Sequence, residues 1–173
     1  MIIPYKGFTP SISSDGFVAP GVFVSGNVTI LDEVAILPGC VLRGDVSPIH
    51  VGRRTNIQDC TVVHVSSKDG PVWIGDEVTI GHHCLIHACT LEDRSFIGMR
   101  ATVMDHAVVE TGAMVAAGAL VTPGKRVPSG ELWAGCPARK MRDLSTEEID
   151  GFMSTVDRYV DHGKAYREAL GTL

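Results

Sequence analysis

The sequence predicts a mainly β fold, a parallel solenoid of short strands closed by one C-terminal helix. Three observations carry this. Aliphatic residues recur every six positions, at Val18, Val24, Ile30, Ile36 and Leu42, at Val51, Ile57 and Val63, at Ile74, Ile80 and Ile86, and from Leu91 through Ile97, Val103, Val109 and Val115 to Val121. A small or β-branched residue often stands four positions later, as at Val34, Cys40, Thr55, Thr61, Cys84 and Ala101. Beyond residue 124 the period gives way to turn formers and then to helical spacing.

A period of six suits neither an amphipathic helix nor a plain hairpin sheet. It suits a short strand plus a corner, repeated three times per coil, with about 18 residues to a coil and coils about 4.8 Å apart. One coil cannot bury its own apolar side, so coils must stack. The repeat covers residues 10–125 and is interrupted twice. Ser47 to His50 are inserted between Leu42 and Val51, and Val65 to Trp73 form a loop before Ile74. Residues 126–144, with Pro128, Gly130, Gly135 and Pro137, read as an irregular connector. Residues 145–171 read as a helix. Ser145 and Glu148 have capping-box spacing, and Ile149, Phe152, Met153, Val156, Tyr159 and Val160 follow on one face. The chain, 1–173, is then a single domain.

Composition narrows the function classes. A net charge of −5 and a pI near 5.7 argue against a nucleic-acid surface or an anionic-membrane surface. The longest apolar stretch, Ala113 to Val121, is too short to span a bilayer. Met1 to Thr9 lacks an apolar signal core. Five cysteines without a CxxC pair suit small core residues in a reducing, cytoplasmic setting.

The repeat also places the histidines. Numbering faces from Val51, the third face carries Val63 and then Ile86, and His64 and His87 each follow that aliphatic. They should stack on one edge in successive coils, close enough for two imidazoles to meet one ion. His82, two residues after the second-face Ile80, lies near another corner. It reaches such an ion only from a neighbouring chain, as a threefold assembly would allow. Arg43 falls beneath His64, with Asp45 two residues further on. Gln58 follows Ile57, and Asp59 lies one coil beneath His82. These polar groups suit the work of orienting ligands. His50, His83, His106 and His162 read as solvated surface.

The strings RGDVSPIHVGRRTNIQDCTVVH, IGDEVTIGHHCLIH, IGMRATVMDHAVVE and GCPARKMRDLSTEEI resemble the gamma-class carbonic anhydrase-like proteins, hexapeptide-repeat proteins also labelled ferripyochelin-binding. The resemblance covers nearly the whole chain. It implies a left-handed parallel β-helix and a homotrimer with Zn2+, or Fe2+ or Co2+, held between subunits. The implied ligands are His64 and His87 from one chain and His82 from the next. Arg43 and Asp45 match an intersubunit ion pair. Gln58 and Asn56 match catalytic residues, the first hydrogen-bonding the activated water and the second its neighbour in that network.

The implied reaction is reversible hydration of CO2 to bicarbonate, a lyase activity. The best-characterised active members carry a Glu after the Asp of the RGD-like motif and another in a longer loop. Here those positions are Val46 and Ser67, so the group linked to proton shuttling is absent. His83, beside His82, is a candidate in its place. The alternatives are an acyl-CoA thioesterase-like hydrolase, a hexapeptide-repeat acyltransferase, and a metal-stabilised trimer without catalysis.

Overall fold

A computed structural model describes residues 1–67 and 69–171; Lys68, in the loop read at 65–73, and the last two residues lie outside them. The chain winds into a parallel β-solenoid of about 7 turns followed by one helix. The six-residue aliphatics form its axis. Val24, Ile30, Ile36 and their successors through Val121 are all buried, and so is Val127 beyond them.

Strand register defines three faces. On the first, Val51, Ile74, Leu91, Val109 and Val127 stand directly above one another. The second stacks Ile36, Ile57, Ile80, Ile97 and Val115. The third stacks Leu42, Val63, Ile86, Val103 and Val121. Side chains alternate across each short strand, so the neighbours of these aliphatics point outward.

Two corners differ from the sequence expectation. Ser47 to His50 break the six-residue spacing but not the strand: Val41–Val51 is one continuous strand that bends from the third face onto the first. Its Arg43 pairs with His64 and its His50 with Trp73, so backbone pairing on both sides of the bend keeps it a strand. The loop after Val65 is also shorter than expected. Ser66 and Gly70 bridge across it, and Val72–Ile74 is already strand. Trp73 lies over His50, with ring centroids 4.0 Å apart and planes 11° apart. His50 is therefore half-buried rather than solvated, and burial lowers its pKa. His83, His106 and His162 are exposed.

Buried threonines close the corners next to the candidate site. The Thr55 hydroxyl donates to the Gly75 carbonyl at 2.8 Å and accepts from the Val78 amide at 3.0 Å. Thr61 does the same with Gly81 and the Cys84 amide, both at 3.0 Å. Each satisfies two backbone groups that a corner would leave without partners. Burial pushes the Cys40 and Cys89 thiols up to about 12 and that of Cys84 to about 11, as suits core residues.

Residues 126–144 are more ordered than an irregular connector. Arg126–Val127 extends the first face, and Leu132–Trp133 pairs with Met114–Val115 on the second. Glu131–Gly135 then pairs antiparallel with Ala138–Asp143. This hairpin caps the open edge of the last coil. The helix α1, Thr146–Gly171, packs back along the second face. Phe152, Val156, Val160 and Gly163 are its buried residues, and Phe152 meets Phe96 at 5.0 Å between centroids. No helix among the described residues is long and apolar enough to cross a membrane.

The expected capping box is present at the start of α1. The Ser145 amide donates to Glu148 Oε2 at 2.9 Å, and the Glu148 amide donates to Ser145 Oγ at 3.2 Å. Arg142 grips the same carboxylate with two hydrogen bonds, of 2.8 and 2.7 Å. Arg142, and then the Ser145 amide, hold the Glu148 pKa down at about 2, against an ordinary 4.5. A depressed carboxylate stabilises the fold above its unfolded pKa and loses that contribution as pH falls through its folded one. The stability difference between wild type and Glu148→Gln should therefore be constant above about pH 4.5 and shrink toward zero near pH 2. Thermal melts of the two proteins across that window check it.

Candidate metal centre

His64 ends the strand Val62–His64 and His87 ends Leu85–His87. Register puts them directly opposite each other in neighbouring coils. Their ring centroids are 5.2 Å apart, and His64 Nδ1 lies 3.2 Å from His87 Nε2. The outer nitrogen of each ring meets a carboxylate: His64 Nε2 is 3.2 Å from Asp45 Oδ1, and His87 Nδ1 is 2.7 Å from Asp105 Oδ1. A ring that donates its outer N–H to a carboxylate keeps its lone pair on the inner nitrogen. With both rings in that tautomer, two lone pairs would face each other across 3.2 Å. Two tetrahedral ligands at 2.0–2.1 Å from a zinc ion would stand about 3.3 Å apart, so the pair fits a divalent cation.

The backbone sets Asp45 in place. Gly26 and Gly44 lie back to back where the two longest strands bend, and Gly26 has φ +79. A Cβ on Gly26 would stand 2.2 Å from the Gly44 carbonyl, so this close approach needs glycine on both sides. Asp45 follows directly, taking an ion pair from Arg43 as well as the contact with His64. Burial acts to raise the Asp45 carboxyl, but Arg43 and His64 outweigh it and hold the group below the ordinary carboxylate range. The same balance lowers Asp105, where burial is opposed by His87.

His82 stands apart, at the corner between the second and third faces. Its Nδ1 is 2.8 Å from Asp59 Oδ2, in the coil beneath. Among the described residues of one chain, no three His, Cys, Asp or Glu side chains gather around a common point. Asn56 and Gln58 are buried on the second face. Gln58 Nε2 donates to Asn56 Oδ1 at 3.1 Å, and Asn56 Nδ2 donates to Thr79 Oγ1 at 2.9 Å. One N–H of Gln58 is thereby engaged, and its carbonyl oxygen is able to accept a hydrogen bond.

Asp105 was not among the residues singled out from the sequence. The signal was available: it stands two residues after the third-face Val103, one coil above His87. Extending the same register one coil further would have found it.

The third face lies between the His82 corner and the His64–His87 corner. Its outward residues Val41, Val62, Leu85, Thr102 and Leu120 form one column. Val62 and Leu85 remain 37% and 38% exposed, an apolar surface flanked on both sides by histidines that each hold a carboxylate.

Comparison with known proteins finds close likenesses, among them two relatives and one solved structure. The chain is 51% identical over 158 residues, 88% of its length, to gamma carbonic anhydrase 2, mitochondrial, of Arabidopsis thaliana, and spans 57% of that relative. It is 39% identical over 167 residues to the carbonic anhydrase of Geobacillus kaustophilus, covering 96% of this chain and 91% of the relative. The crystal structure of a hexapeptide transferase family protein from Anaplasma phagocytophilum superposes with a TM-score of 0.92 at 48% identity, over 95% of this chain and 97% of that one. No protein-family model matches the chain.

Proposed function

The chain belongs to the gamma carbonic anhydrase family, and from that premise we propose that it hydrates CO2 reversibly to bicarbonate at sites between the subunits of a homotrimer. The observation that carries this is the His64–His87 pair, two imidazoles held by separate carboxylates with their inner nitrogens 3.2 Å apart. The residues that would hold a zinc, iron or cobalt ion are His64 and His87, completed by the partner subunit's His82. A divalent ion held by imidazoles acts as a Lewis acid that brings the pKa of water from 15.7 down to about 7.

The chain's own groups do the remaining work. Asp45, Asp59 and Asp105 fix the rings of His64, His82 and His87. Gln58, braced by Asn56 and Thr79, offers its carbonyl oxygen to orient the attacking water. Water adds to the carbon of CO2, and the reaction releases bicarbonate and one proton. Val46 and Ser67 accept no proton as a carboxylate would, so proton release falls to buffer or to the exposed His83.

The outward column from Val41 to Leu120 supports the assembly. Its apolar surface would be covered when the His82 corner of one subunit meets the His64–His87 corner of the next. An acyltransferase using one histidine as a general base would not need two rings fixed by carboxylates. CO2 hydration measured by stopped flow on zinc-loaded protein tests the proposal, with His64→Ala as the blank. Turnover above buffer in the wild type and none in the variant is expected; equal rates in both would sink it.

A further inference from the structure

We infer that Asp105 is a positioning residue for the metal centre, holding the His87 ring so that its inner nitrogen faces His64. The inference rests on the metal reading above and adds a residue to it. His87 is the last strand residue before a shortened corner: Leu91 follows Ile86 by five positions, not six. Ala88, directly after it, sits in left-handed backbone at φ 45. Without a partner, an imidazole at such a strand end is free to turn about its χ2.

Two backbone hydrogen bonds staple three coils together at this corner. The Ala88 amide donates to the His64 carbonyl at 2.9 Å, and the His106 amide donates to the Ala88 carbonyl at 2.7 Å. Asp105 is the residue immediately before that second staple. Its carboxylate is therefore carried over the His87 ring by the backbone rather than by a loop. It meets Nδ1 at 2.7 Å, with both side chains about three-quarters shielded from water. Among the described residues no Lys or Arg pairs with Asp105. Asp45, by contrast, is shared between Arg43 and His64. The Asp105 carboxylate is committed to His87, and by donating N–H to it the ring is fixed in orientation and tautomer.

The test compares Asp105→Ala with Asp105→Asn, which keeps an acceptor oxygen. Zinc affinity is read by competition with a chromophoric chelator, and ring-nitrogen NMR signals are read on the metal-free protein. Asp105→Ala should weaken zinc binding about 10- to 100-fold, with Asp105→Asn in between and the metal-free melting temperature unchanged. The His87 ring should be a single Nδ1–H tautomer in the wild type and a mixture in the alanine variant. Unchanged zinc affinity in Asp105→Ala would overturn the inference. So would a parallel loss of affinity and metal-free stability that the asparagine does not relieve. Wild-type protein that takes up no zinc would instead overturn the metal reading, and the ring-nitrogen signals would still decide whether Asp105 holds His87.

Discussion

Trimers refolded from an equal mixture of His64→Ala and His82→Ala subunits are expected to recover about a quarter of the wild-type zinc sites, although each variant alone recovers none. In the proposed assembly a complete site needs one subunit with both His64 and His87, and a neighbour with His82. In the mixture the first must be a His82→Ala chain and the second a His64→Ala chain, each met half the time. Within one chain His82 is engaged with Asp59 at its own corner and does not join the stacked pair. Different affinity tags on the two variants confirm that mixed trimers form. Mixed trimers that hold no zinc would place the third ligand within the chain and remove the reason for the assembly. CO2 hydration should follow zinc content in the same samples.

Ile86→Ala and Leu85→Ser should separate folding from assembly at adjacent positions. Ile86 is fully buried between Val63 and Val103 in the axial stack. Truncation leaves a cavity among short strands that cannot collapse, and a loss of about 2–5 kcal/mol is expected in urea unfolding of the metal-free protein. Leu85 points the other way, 38% exposed on the third face. Leu85→Ser should change the stability of the isolated chain by no more than about 0.5 kcal/mol. It should nevertheless weaken the trimer in sedimentation velocity, because its column is the surface proposed to be covered. A variant that sediments as the wild-type trimer would move the interface away from that face.

Six-residue spacing in the sequence determined the solenoid, its three faces and the residues on its axis. It did so because a side chain's direction in a short strand follows from its position alone. The stacking of His64 on His87, Arg43 beneath His64 and Asp59 beneath His82 were legible for the same reason. The Ser145–Glu148 box was local enough to read as well. What the period could not show was how backbone pairing carries Val41–Val51 round a corner, how Trp73 covers His50, or how residues 131–143 fold into a capping hairpin. Those depend on partners far along the chain. Register places Asp105 one coil above His87, and tertiary structure decided that its carboxylate meets the ring, since one shortened turn and two backbone staples set that height. The sequence determined which imidazoles share an edge, because register is periodic. Only the packed coils decided which nitrogens those imidazoles present, because that is fixed by the carboxylates lying against them in the coils above and below.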